Sequence, residues 1–135
     1  MKRFAAHYIF LPDVGFIKQQ VVETSQEHGV LNIFPLTEEV ESVEWFPGVI
    51  ALLQIVDVQL ITNAGIFSEN IPVFEKNIEE LFKKHPNVYL QTSQCFLEVF
   101  DDHKKKGITL FPFLFYPFDF TSMQPVAGTR HRLLQ

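Results

Sequence analysis

The sequence predicts an α+β fold: a mostly antiparallel sheet or small β-sandwich from the N-terminal half, two helices, and a Phe-rich strand that returns to the sheet. Three observations carry this. Short apolar runs punctuated by turn residues fill roughly the first 55 positions. Two stretches with helical spacing follow, at about residues 71–85 and 93–106. The segment "ITLFPFLFYPFDF" (108–120) then alternates with period two. A length of 135 residues suits a single domain covering 1–135.

The first strand is expected over residues 3–11, "RFAAHYIFL", closed by the turn-type cluster Pro12-Asp13-Val14-Gly15. Residues 16–23 form the second, ending at "TSQEHG", where Gly29 can supply the positive φ of a hairpin loop. A third strand covers 30–34. Residues 43–46 and 49–55 then read as one strand broken at Pro47-Gly48, because proline donates nothing to a ladder and places the kink at a sheet edge or a change of direction.

In the 71–85 helix, Phe74, Ile78, Leu81 and Phe82 share one face, with Asn70 as N-cap and Pro72 in the first turn. Glu79–Lys83 and Glu80–Lys84 are favourable i,i+4 pairs. The 93–106 helix starts at Ser93, gathers Phe96, Val99, Phe100 and His103 on one face, and ends in Lys104–Lys106 with Gly107 as its stop. In the last strand Phe111, Phe113 and Phe115 fall on one side and Leu110, Leu114 and Tyr116 on the other, so both faces are expected to be covered. Pro112 and Pro117 push that strand toward an edge or a bulge. The remainder, "TSMQPVAGTRHRLLQ", lacks periodicity and is expected to wrap the surface, with Arg130-His131-Arg132 on a loose terminus.

A formal charge of −5 and dispersed Lys and Arg argue against nucleic acid or an anionic membrane as partner. No apolar run approaches the length that spans a bilayer. One cysteine excludes an internal disulfide framework and suggests a reducing compartment. The start, Met1-Lys2-Arg3 before "FAAHYIFL", lacks a small-x-small cleavage site, so the cytoplasm is the expected location.

The segments "KQQVVETSQEHGVLNIFP" (18–35) and "VEWFPGVIALLQI" (43–55) resemble the opening of amidohydrolase-superfamily proteins, in which a small β-sandwich precedes a metal-dependent barrel. Pro47, Gly48, Val49 and Ile50 match the start of that family's Pro-Gly-(Leu/Phe)-Ile-Asp-x-His-x-His motif. The resemblance covers about a third of the chain, and it implies a sandwich without the catalytic partner. Ala51 stands where the aspartate would be, and Leu53 and Ile55 stand where the two metal-binding histidines would be. Neither leucine nor isoleucine offers a metal a lone pair.

No other pattern in the sequence carries chemistry. The histidines His7, His28, His85, His103 and His131 show no His-x-His or His-x-x-x-His spacing. Cys95 and His103, eight positions apart on one helix, would stand about 12 Å apart, too far to share a metal. Cys95 is expected to be buried and inert. Asp101, Asp102 and His103 diverge around their helix, and Glu38, Glu39, Glu41 and Glu44 read as a solvated acidic patch.

The expectation is therefore a non-catalytic domain without cofactor or metal, acting through self-association, as a homo-oligomer such as a dimer, or through contact with another protein. The fifteen phenylalanines exceed what a small core ordinarily requires. Trp45, Phe46, Phe111, Phe113 and Phe115 are the candidate residues, lining either an interface or, alternatively, an apolar small-molecule pocket.

Overall fold

The computed structural model describes residues 2–12, 14–25, 29–36, 42–54, 80, 82–83, 87–89 and 93–134. These residues form ten strands: β1 Lys2–Ala5, β2 Tyr8–Leu11, β3 Gly15–Lys18, β4 Gln20–Ser25, β5 Gly29–Pro35, β6 Val43–Trp45, β7 Val49–Leu53, β8 Val88–Tyr89, β9 Phe111–Asp119 and β10 Gln124–Leu133. One helix, α1, spans Gln94–Lys105. The strands make a four-stranded sheet, β5-β4-β1-β6, and a six-stranded sheet, β10-β9-β7-β2-β3-β8.

Both sheets are mixed, with most pairings antiparallel, as expected. Pairs β1–β4, β2–β3, β4–β5, β7–β9 and β9–β10 are antiparallel, whereas β1–β6, β2–β7 and β3–β8 are parallel. The parallel pairs arise because the chain crosses from sheet to sheet. The single strand expected over 3–11 is two strands: β1 lies in the four-stranded sheet and β2 in the six-stranded one, with a corner at Ala6-His7. The strand expected over 16–23 is likewise divided, at Gln19, whose φ of 55° turns the chain from β3 into β4. Strands β6 and β7 follow β1 and β2 side by side and turn at Phe46-Pro47-Gly48, one residue more than the first corner uses. Strands that bend from one sheet into the other are how packed sheets make corners.

Alternation along the six-stranded sheet divides its side chains between two clusters. Ile9, Leu11, Ile17, Ile50, Leu52 and Leu114 meet Phe4, Val22 and Val30 of the other sheet, together with Phe96 and Phe100 of α1. On the opposite face Phe10, Phe16, Val49, Ala51, Leu53, Phe115, Phe118 and Met123 gather around Phe82. Phe82 is fully buried, with ring centroids 4.6 Å from Phe10, 5.0 Å from Phe115 and 5.0 Å from Phe118. Such tilted and edge-on pairs add roughly 0.5–1.5 kcal/mol each beyond area burial. β9 is therefore covered on both faces, as its two-sided aromatic pattern implies.

Glu80, Phe82 and Lys83 are helical, and the rest of the helix expected over 71–85 lies outside the described residues. The second expected helix is α1. Ser93 occupies its N-cap position but makes no side-chain cap bond there, contrary to its expected use. The other end closes as anticipated: the Gly107 N–H donates to the Lys104 carbonyl, the Ile108 N–H donates to that of His103, and Gly107 has φ 73°. These two bonds are the Schellman pattern that ends many helices.

Of the edge or bulge expected from Pro112 and Pro117, the structure has the second: β9 lies between β7 and β10, and Pro117, following a cis peptide from Tyr116, faces a register break between Pro125 and Arg130 in β10. A residue without an N–H is accommodated where the ladder is already interrupted. The C-terminal segment does not wrap the surface loosely. Residues 124–133 are β10, paired to β9, and the Leu134 N–H donates to the Pro112 carbonyl.

Candidate functional site

The corner between the sheets gathers unusual side chains because two strand pairs turn there together. His7 is exposed, and its Nδ1 accepts the Gly48 backbone N–H at 3.1 Å. The Phe46 N–H, two residues earlier, donates to the Ala5 carbonyl at 2.8 Å. Gly48 has φ 119°, and a Cβ there would run into the Phe115 carbonyl oxygen and crowd the Tyr116 Cβ. Only glycine occupies that position without strain.

Two of the four large apolar side chains exposed among the described residues adjoin this corner, Trp45 at 51% and Tyr116 at 51%; a third, Val126 at 40%, is on β10. The fourth, Val88, is on β8 at the far edge of the six-stranded sheet. Trp45 ends β6, the outermost strand of its sheet among the described residues. Its ring stands edge-on to His7 at 4.8 Å, and His7 in turn leans on Phe120 at 4.7 Å. Phe46 is half-buried against Phe4, with the Arg132 guanidinium 5.1 Å above its ring.

Tyr116 faces Arg130 across the β9–β10 ladder, and Arg132 faces Leu114. Cross-strand partners share a face, so Tyr116, Arg130 and Arg132 project together, and all three are exposed. The interrupted stretch of β10 is tied down by Thr129, whose hydroxyl donates to the Pro117 carbonyl at 2.6 Å and accepts the Val126 N–H at 2.8 Å. His131, between the arginines, points the other way, and its ring lies 6.1 Å from Phe115. Burial holds its pKa below the usual imidazole value.

The five residues chosen from sequence do not form one site. Trp45 and Phe46 adjoin at the corner. Phe115 is fully buried in the cluster around Phe82 and has no surface to offer a ligand; Phe113 is half-buried against the same cluster. Phe111, half-buried, is paired in register with Leu53. His7, Tyr116, Val126, Arg130 and Arg132 were not anticipated. The Arg-x-Arg spacing of 130–132 was the one available signal, since it puts both cations on one face once the segment is a strand.

Elsewhere, potentially reactive groups have structural roles or stand apart. Cys95 is exposed in the first turn of α1, not buried as expected; it follows the Ser93 end of the helix, while Phe96 takes the inward position. Asp102 pairs with Lys106 at 2.9 Å, and the ring Nδ1 of His103 bonds to the Val99 carbonyl at 2.8 Å, so these neighbours diverge. Glu44 is exposed, while Glu38, Glu39 and Glu41 lie outside the described residues. Ala51 and Leu53 are fully buried, and Ile55 lies outside the described residues.

Glu23 sits in a cross-strand row, accepting from Asn32 Nδ2 and Arg3 Nε, each at 3.1 Å. The Asn32 bond and then the Arg3 bond hold its carboxyl below the usual range. Lys104 of α1 donates to Asn32 Oδ1 at 3.0 Å, joining the helix to this row. Among the described residues no group of three His, Cys, Asp or Glu side chains could hold a metal ion, and no helix is long and apolar enough to cross a membrane.

The chain matches no family model, no curated protein and no solved structure.

Proposed function

We propose that the chain is a non-catalytic domain that acts by protein–protein contact, with a second copy of itself or with another protein, through the corner bearing Trp45. The single observation that supports this most directly is the exposure of Trp45 at 51% on an outermost strand, next in sequence to Phe46, whose ring the exposed Arg132 covers. Trp, Tyr and Arg are the residue types that most often dominate binding energy at protein interfaces.

The likeness to the amidohydrolase opening segment fits this reading, with Ala51 and Leu53 serving as core in place of chemistry. We place the protein in the cytoplasm, in keeping with its single cysteine. The alternative, a Phe-lined pocket for a small molecule, is left with Phe111 and Phe113 as its partly exposed members, and Phe115 is withdrawn from it.

Native mass spectrometry at rising protein concentration, alone and with cell extract, tests the contact. Association by the wild-type chain that Trp45→Ser abolishes, with the fold retained by circular dichroism, is the expected result. Association unchanged by Trp45→Ser, or none at all, would remove the reading.

A further inference from the structure

Resting on the contact reading above, we infer that the occupant of this surface is an extended acidic segment of another protein, whose carboxylates at alternate positions engage Arg130 and Arg132. The first support is charge. In a chain of net charge −5, Arg130 and Arg132 put two cations on one face of a paired strand, whereas Arg3 is paired with Glu23, Lys106 with Asp102, and Lys104 is bonded to Asn32; Lys18 and Lys105 are exposed singly on other elements. Arg130 and Arg132 are exposed and, among the described residues, neither is ion-paired.

The second support is spacing. Residues two apart on a strand lie on one face about 6.4–6.8 Å apart, and an extended peptide repeats its own alternate side chains at that interval. A carboxylate at every second position therefore meets both guanidinium groups in one register, and the guanidinium fork suits carboxylate oxygens in a bidentate arrangement. Arg132 is already oriented by lying over Phe46 at 5.1 Å, which reduces the side-chain freedom lost on binding. Tyr116, paired in register with Arg130, supplies apolar surface beside the charges.

A second copy placed face to face across a two-fold axis is a poorer occupant, because it brings this arginine pair toward its own equivalent. A nucleic acid is poorer too, since this face contributes one arginine pair to a chain of net charge −5.

The chain's sole tryptophan is Trp45, next in sequence to the Phe46 that Arg132 covers, so its fluorescence is the readout. The probe is a seven-residue peptide alternating Glu and Val, titrated into the full chain at low salt, with a Lys/Val peptide and a single-stranded oligonucleotide as comparisons. Saturable binding of the Glu/Val peptide is expected, weakened at least tenfold in Arg130→Ser/Arg132→Ser and weakened by added salt, with no binding of the Lys/Val peptide. Absence of binding, equal binding by the double variant, or equal binding of the oligonucleotide would overturn the inference. Association that needs Trp45 but survives Arg130→Ser/Arg132→Ser would overturn the inference while leaving the contact reading intact. Neither association nor peptide binding by the wild-type chain would end both.

Discussion

The imidazole Nδ1 of His7 accepts the backbone N–H of Gly48 at 3.1 Å, joining two positions 41 residues apart in sequence. The bond ties together two of the corners at which the chain leaves one sheet for the other, Ala6-His7 and Phe46-Pro47-Gly48. It also places the ring proton of the neutral imidazole on Nε2, on the exposed side, and sets the ring against which Trp45 rests. One hydrogen bond thus serves both the architecture and the proposed contact surface.

His7→Phe keeps an aromatic ring beside Trp45 and Phe120 but removes the acceptor for a buried N–H. A loss of about 1–3 kcal/mol is expected, measured by urea unfolding. A loss indistinguishable from zero would show that the two corners hold without this bond.

Gly48→Ala meets two penalties at once: the residue keeps φ 119°, and its new Cβ meets the Phe115 carbonyl. The backbone conformation alone costs about 1–3 kcal/mol for a non-glycine residue, so the total should exceed the loss in His7→Phe. The midpoint of urea unfolding is the readout, and an unchanged midpoint would refute the corner geometry.

Phe115→Ala removes a fully buried ring from the cluster around Phe82 and should cost about 3–5 kcal/mol. Phe113→Ala, at a half-buried position of the same strand, should cost less. Reversal of that order in thermal or urea unfolding would contradict the assignment of Phe115 to the core.

Acid should weaken the four-stranded sheet through Glu23. Its carboxyl titrates lower when folded than its ordinary value of 4.5, because Asn32 and then Arg3 donate to the charged form. Between the folded and unfolded values the unfolded chain binds more protons, so stability rises with pH there. The contribution is fully present above about pH 4.5 and is lost as pH falls through the lower, folded value. Unfolding curves from pH 6 downward should therefore be steeper in pH for the wild type than for Glu23→Gln, and identical slopes would remove the assignment.

The elements legible in the sequence were those written in local chemistry. Gly107 after three lysines marked the end of α1, Phe96 and Phe100 marked its buried face, and the alternation of Phe113, Leu114 and Phe115 marked a strand covered on both sides. Pro47-Gly48 announced a change of direction. The corners at Ala6-His7 and Gln19 were not legible because neither carries a proline or glycine. A strand that changes sheets keeps its extended backbone and apolar pattern, so "RFAAHYIFL" reads as continuous while its two halves pair with different partners. β10 was missed for a related reason: the break between Pro125 and Arg130 interrupts its period, and exposed arginines give it the look of a tail. Of the residues of the proposed contact surface, the sequence singled out Trp45 and Phe46, since Tyr116 and Arg130 become neighbours only when β9 and β10 pair.

The measurement that tests the central claim most directly is acrylamide quenching of Trp45 fluorescence in the free chain and in whatever associated form native mass spectrometry detects. The account predicts ready quenching of the free chain, as befits an indole residue 51% exposed, and marked protection on association. Equal quenching in both states would mean that contact forms elsewhere and that the corner is not the working surface of this protein.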